Sequence, residues 1–196
     1  MKTVCLIPAR GGSQRIPGKN IRIFHGKPII YYSIKAAQDS GLFDEIVVST
    51  DSEEISEVAQ KYGASVYIRS AAMSRDEVGT QEVAKDFLEH ASDDIEYLCV
   101  LYPCAPMVDV EDFDGAFDML EADMKMLYAM TVGENPLHDA GQFYFGTADA
   151  FLRGIPLIGT RTRMIPVPPE RDIDINVMDD WHKAVQMFEA LHEEEL

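Results

Sequence analysis

Arg10, Arg15 and Lys19 lie close together in a run from Ala9 to Asn20 that also holds Gly11, Gly12, Ser13 and Gly18. The chemistry such a mixture suits is phosphate binding. Glycine reaches backbone angles barred to other residues, so successive N–H groups can approach an anion closely, while cationic side chains add full charges and Ser13 a hydroxyl donor. No Gly-Lys-Ser/Thr triplet follows and the spacing of the dinucleotide fingerprint is lacking, so this is neither of the common phosphate loops. Charge distribution supports the reading. The first 38 residues carry seven Lys or Arg and no Asp or Glu, in a protein of formal net charge -17. Seven positive charges at the start leave -24 for the rest, so the opening segment offers an anion a local refuge from a repelling background.

A second group stands near the other end, where Arg171-Asp172-Ile173-Asp174-Ile175-Asn176 precedes Asp179-Asp180-Trp181. Alternation along a strand would send Asp172, Asp174 and Asn176 to one face and Ile173 and Ile175 to the core. Hard cations such as Mg²⁺ take one or two carboxylates together with substrate phosphates, so the face suits a metal-nucleotide site if it meets the basic loop in space. It reads equally as a solvated strand leading into a helix start, where Asp179 and Asp180 are at home. Arg69, in a loop with Ser70, Ser74 and Thr80, can hold a phosphate, a base edge or a carboxylate. His138 and Asp139 are adjacent, which gives neither a shared helix face nor a spaced metal pair. Asp51 followed by Glu54 reads as a capping box.

These groups need elements to carry them. Val4 to Ile7, Ile46 to Val48, Tyr97 to Leu101 and Leu127 to Val132 are short apolar runs, expected as strands buried on both faces of a parallel sheet. Ile55, Val58, Ala59 and Tyr62 repeat with helical spacing, as do Phe113, Ala116, Phe117 and Leu120. Pro28 should open another helix through Ile30, Ile34 and Ala37, and Trp181, Ala184, Val185 and Phe188 mark the last one. Alternating strands and helices predict an α/β fold with a mostly parallel sheet flanked by helices. The basic loop then follows the first strand, at the carboxyl edge where open sheets bind ligands, and Tyr102-Pro103-Cys104-Ala105-Pro106 makes a rigid turn at the same edge. From about 133 to 169 the periodicity weakens, as in a small lid or an irregular edge; Gln142-Phe143-Tyr144-Phe145 should form a strand there, its aromatics in the core.

The length of 196 residues fits a single domain, and 46% hydrophobic content is enough for a core. No apolar run approaches the ~20 residues that span a bilayer, and the start lacks the order of a signal peptide, which points to the cytoplasm and to no membrane partner. Cys5, Cys99 and Cys104 are unpatterned and read as reduced, buried small residues. The acidic balance argues against nucleic acid as a partner.

The residues also resemble a known family. Ile7-Pro8-Ala9-Arg10-Gly11-Gly12-Ser13, Ile16-Pro17-Gly18-Lys19-Asn20, Gly26-Lys27-Pro28 and Val48-Ser49-Thr50-Asp51 are similar to motifs of the cytidylyltransferases that activate nine-carbon sugar acids. Leu101 to Pro106 and His138-Asp139-Ala140-Gly141-Gln142-Phe143-Tyr144 resemble the pseudaminic acid branch of that family. The likeness implies a Rossmann-like nucleotidyltransferase sheet over 1–196 and transfer of CMP from CTP to a sugar acid with Mg²⁺ and release of pyrophosphate. Pseudaminic acid is the implied acceptor; legionaminic or neuraminic acid, or a nucleotide-binding homologue without catalysis, stay open as alternatives. Arg10, Lys19 and Asp174 would carry the chemistry. The nucleotide would lie against Ala9, Gly11, Gly12, Ser13, Arg15, Asn20, Arg69 and Thr80, and the sugar near Tyr102 and Gln142. Asp174 and Asn176 would take the metal. The chain departs from the family at Gln14, where Lys is usual, at Asn176, where a second Asp is usual, and at Gly133 to Leu137, which replace a longer segment. In relatives that segment helps form the sugar pocket and a homodimer contact, so the shortening bears on both.

Overall fold

Val4, Cys5, Leu6 and Ile7 are fully buried in the middle of the first strand, β1 (Lys2–Pro8), because helices cover both sides of it. The computed structural model describes residues 2–92, 94–133 and 138–192. β1 pairs in parallel with β4 (Glu45–Thr50) on one side and β6 (Ile95–Leu101) on the other. β5 (Ser65–Ile68) extends the sheet beyond β4, while β8 (Asp139–Thr147), β7 (Tyr128–Val132) and β9 (Thr162–Pro166) extend it beyond β6, giving the order β5-β4-β1-β6-β8-β7-β9. β8 runs antiparallel to both its neighbours and every other pairing in this sheet is parallel. A hairpin of two short strands, β2 (Ile23–Phe24) and β3 (Lys27–Pro28), stands apart.

The alternation within β1 sorts the core into two layers. Cys5 and Ile7 face Ile30 and Ile34 of α1 (Ile30–Ser40), Ile55 and Ala59 of α2 (Glu53–Lys61), and Phe113 and Leu120 of α4 (Val110–Ala122). Val4 and Leu6 face Ala84 and Phe87 of α3 (Thr80–His90) and Phe151 of α5 (Ala148–Leu152). Each fully buried Ile, Leu or Phe contributes roughly 1.5–3 kcal/mol, so both layers are needed to hold the sheet. A third cluster joins α6 (Met178–His192) through Trp181 and Ala184 to Ile16, Phe24, Ile173 and Ile175, and so seats the basic loop and the acidic segment on one apolar base.

The strands and helices expected from the apolar runs and helical stripes are present, with local corrections and one missing strand. Pro28 lies in β3 and the helix begins at Ile30. Ser52, not Asp51, caps α2, its hydroxyl accepting the Ile55 N–H, because Asp51 Oδ1 is taken by the Gly11 N–H at 2.9 Å. Asp172 to Asn176 form no strand; Ile173 and Ile175 are buried as alternation requires, but the segment pairs with no neighbour. Of the stretch 133–169, β8 lies inside the sheet and β9 is its edge strand. Within the shortened Gly133 to Leu137 bridge, 134–137 lie outside the described residues.

Candidate active site

Pro8 at the end of β1 and Tyr102, Pro103 and Cys104 after β6 floor a cleft of about 660 Å³. It opens where the strand order reverses around β1, the expected ligand position for such a sheet. Its walls carry five cations, Arg10, Arg15, Lys19, Arg69 and Arg75, against three carboxylates, Asp76, Asp139 and Asp174. A net positive cleft in so acidic a protein concentrates anions there.

Three contacts hold the basic loop in shape. Gly18, at φ 62, turns the chain into a 3-10 turn over Lys19–Ile21. Asn20 Nδ2 donates to the Arg10 carbonyl at 2.9 Å, and Lys19 Nζ donates to the Ile175 carbonyl at 2.8 Å. Arg15 Nη2 donates to Asn176 Oδ1 at 3.0 Å. The loop is thereby clasped to the acidic segment, which brings the two constellations of the sequence together. Arg10 is ion-paired with Asp76, whose other oxygen accepts Gln14 Nε2 at 3.2 Å. Cys104 donates weakly to Asn20 Oδ1 at 3.4 Å, and burial pushes its thiol up to about 12 despite the Lys19 charge, so it stays protonated.

Arg69 is 5% exposed and its Nε has no hydrogen-bond partner. Burial lowers its pKa, with Asp51 opposing and Arg10 adding to the drop. A buried cation short of partners gains most from an arriving anion. Thr80 Oγ1 and the Tyr102 hydroxyl are hydrogen-bonded at 2.7 Å, and burial raises the Tyr102 pKa so that it remains a neutral phenol.

At the acidic segment, Asp174 is exposed in the cleft and accepts Asn176 Nδ2 on one oxygen. Asp172 does not line the cleft. Its side chain is turned inward beside Gly133, with His138 Nε2 3.6 Å from Oδ1. Among the described residues, no three His, Cys, Asp or Glu side chains converge to hold a cation unaided. One carboxylate and one amide oxygen fit an Mg²⁺ that arrives with phosphates to complete its shell.

The sequence-predicted residues divide cleanly. Arg10, Ser13, Arg15, Lys19, Asn20, Arg69, Thr80, Tyr102, Asp174 and Asn176 line the cleft together. Ala9, Gly11, Gly12 and Gln142 do not. Ala9 is fully buried beneath the loop, its N–H bound to the Ser49 carbonyl at 2.8 Å. Gly11 has an ordinary backbone angle and gives its N–H to Asp51; its small size is explained by Ser52 Cβ, 3.0 Å from where a Cβ would stand. Gly12 too has no left-handed angle and nothing near its missing Cβ. Gln142 is 2% exposed and donates Nε2 to the Arg171 carbonyl at 3.0 Å, so it braces the acidic segment from behind. Arg75 and Asp76 line the cleft without having been singled out by the sequence, and Asp139 and Gly141, named there in a motif but given no site role, line it too. Only Asp139-Ala140-Gly141 carried a local signal there, an Asx turn toward a glycine.

A model of the family described as cytidylyltransferase matches residues 4–196. The pseudaminic acid cytidylyltransferase of Campylobacter jejuni subsp. jejuni serotype O:2 is 34% identical over 229 residues, covering 98% of this chain and 99% of the relative. That alignment is longer than the chain itself, so the relative has residues this chain lacks. The N-acylneuraminate cytidylyltransferase of Streptococcus agalactiae serotype III is 43% identical, covering 92% of this chain and 52% of the relative. Among solved structures, a CMP:2-keto-3-deoxy-manno-octonic acid synthetase complexed with CTP superposes over 100% of both chains with a TM-score of 0.78 at 16% identity. A cytidylyltransferase from Leptospira borgpetersenii serovar Hardjo-bovis superposes with a TM-score of 0.72 at 20% identity, over 100% of this chain and 95% of that one. These two likenesses establish the fold.

Proposed function

Because the chain belongs to the cytidylyltransferase family, we propose that it transfers CMP from CTP to a nine-carbon sugar acid, with pseudaminic acid as the acceptor. The observation that carries this reading is the convergence of five cations on one cleft of a chain with net charge -17. A triphosphate and a sugar carboxylate are both anions, and the cleft is built to gather them.

In the reaction, the anomeric hydroxyl oxygen bonds to the α-phosphorus of CTP, the bond to the bridging oxygen breaks, and pyrophosphate leaves with that electron pair. The hydroxyl proton is released. Such transfers depend on position and charge neutralisation more than on covalent help from the protein. Arg10, Arg15 and Lys19 hold the triphosphate with Ser13, and the Lys19 ammonium stabilises charge growing on the leaving group. Asn20, Arg69 and Thr80 help fix the nucleotide, and Tyr102 stands toward the sugar. Arg10 must exchange Asp76 for phosphate, and Arg69 gains the partner its Nε lacks. Asp174 and the Asn176 amide oxygen would hold Mg²⁺, which when bound neutralises phosphate charge and polarises the phosphorus.

The chain has no helix long and apolar enough to cross a membrane among its described residues. Its three free, buried cysteines suit the reducing cytoplasm, where we place the reaction. A second reading, a nucleotide-binding protein without catalysis, is favoured by one observation: Asn176 offers the metal no charge and its amide oxygen is already engaged by Arg15. Incubating the purified protein with CTP, Mg²⁺ and pseudaminic, legionaminic and neuraminic acids, with mass-spectrometric detection, separates the two. A CMP-sugar from pseudaminic acid is the expected product. Saturable CTP binding without product from any acid would replace the enzyme with the binding protein.

A further inference from the structure

Asp139 stands in the cleft with both carboxylate oxygens committed inward. Oδ1 accepts the Gly141 N–H at 2.8 Å, and Oδ2 accepts the Tyr144 hydroxyl. The first bond bears on the metal side. Gly141 is in the left-handed region at φ +64, and a Cβ on it would come 2.9 Å from Asp174 Cγ, so this peptide is the wall against which the Asp174 carboxylate rests. The second bond bears on the sugar side. Tyr144 is 7% exposed and lies edge to face with Tyr102, ring centroids 6.1 Å apart. Tyr102 in turn shares a 2.7 Å hydrogen bond with Thr80. Burial raises the Tyr144 pKa, and Asp139 and Tyr102 add to the rise, so the phenol stays protonated and donates to the carboxylate.

We infer that Asp139 is a positioning residue that fixes the Asp174 carboxylate and the Tyr102 hydroxyl relative to each other, and so aligns sugar and nucleotide for transfer. The inference rests on the functional reading above and deepens it. The backbone of Tyr102 is held at one end by the Gln142 carbonyl and the Ser33 hydroxyl, so what this linkage sets is its ring, and at the other end the Asp174 backbone has no such ladder. Asp174 lies in a segment with no strand partner, so the placement of its carboxylate relative to the Tyr102 ring depends on the side chains packed between them. A carboxylate is the one group of this size that accepts on both sides at once, which distinguishes it from Asn.

The test is Asp139→Asn, which keeps an oxygen for Gly141 and sets an amide donor against the Tyr144 hydroxyl in place of a charged acceptor. It should lower kcat about tenfold, the scale of a small misplacement of reacting groups, and raise KM for the sugar acid while KM for CTP holds. Tyr144→Phe should move the same two parameters in the same direction, and the double variant should be no worse than the poorer single one, since both cut the same linkage. A merely structural role would lower the melting temperature without splitting the two KM values. Parent-like kinetics in Asp139→Asn, or equal losses toward CTP and sugar acid, would overturn the inference. If the parent binds CTP but turns over no acid, the functional reading fails separately, and the coupling is read from Mn²⁺ affinity in the CTP complex. About tenfold weaker Mn²⁺ binding in Asp139→Ala, which frees the Gly141 N–H as well as Tyr144, supports it, and unchanged affinity overturns it.

Discussion

Arg15 Nη2 donates to Asn176 Oδ1 across 3.0 Å, and the same amide donates its Nδ2 to Asp174. One neutral side chain therefore bridges the phosphate-facing cations and the exposed carboxylate. An aspartate there would have no proton to give Asp174, so two like charges would face each other until a cation came between them.

That geometry makes Asn176→Asp a gain-of-metal substitution. Combined with Gln14→Lys, which sets a charge beside Asp76 in place of an amide, it should tighten Mg²⁺ in the presence of CTP and raise turnover at low Mg²⁺. Titration of initial rate against Mg²⁺ reads the effect. An unchanged titration would mean that Asn176 contributes nothing to the metal.

Lys19→Ala removes an ammonium that spans the loop and the Ile175 carbonyl. We expect kcat/KM to fall about tenfold or more, the usual scale for losing one preorganised electrostatic group, with the melting temperature little changed. Steady-state kinetics against CTP, with circular dichroism as the fold check, would expose a parent-like variant and remove the basic loop from the chemistry.

Asp174→Asn leaves the cleft with no charged ligand at this position, because Asp172 is turned inward beside Gly133. Mg²⁺-dependent turnover should disappear while CTP binding through the cations survives. Calorimetry with CTP alone and with CTP and Mn²⁺ separates the two effects. A variant that still binds Mn²⁺ like its parent would transfer the ligand role elsewhere.

The α/β order was legible because each strand run is short and apolar and each helix shows its stripe; Ile34, Ile55 and Phe113 all face the sheet. Strand direction was not, since β8 is buried like the parallel strands of the sheet and nothing in hydrophobicity encodes its reversal. Alternation at Ile173 and Ile175 reports which side chains are buried and not whether a ladder forms, which is why that segment reads as a strand and is none. Most of the cleft was visible through charge, whereas the glycine pair Gly11 and Gly12 lies outside it with ordinary backbone angles. Asp76 and Tyr144 were not visible, because their roles exist only through Arg10 and Asp139, partners that the fold supplies.

Stability away from the cleft should depend on the pair behind the acidic segment. Arg171 Nη1 lies 2.6 Å from Asp112 Oδ2, Asp112 is 8% exposed, and the Arg171 carbonyl receives Gln142. Arg171→Met strands a buried carboxylate and should cost about 3 kcal/mol in urea unfolding, whereas Arg171→Met with Asp112→Leu should recover most of that loss. A single variant as stable as the parent would show that Asp112 finds water or another partner.

Acid should loosen the start of α6 before it unfolds the sheet. Asp180 Oδ2 accepts the Asn176 and Val177 N–H groups, each at 2.8 Å, and these bonds, the Val177 one foremost, hold its pKa below the usual carboxylate value. The folded state thus binds the Asp180 proton less tightly than the unfolded chain. Its stabilising contribution is complete above the unfolded pKa of ~3.9 and is lost as pH falls through the lower folded value. Asp180→Asn still offers an oxygen but no charge, so its melting temperature should sit below the parent's at neutral pH and converge with it in acid. Because Asn176 is one of the two donors, the same acid titration should weaken CTP-dependent Mn²⁺ binding in the parent more than in Asp180→Asn. Melting curves that keep a constant gap down to low pH would place the acid-sensitive group elsewhere.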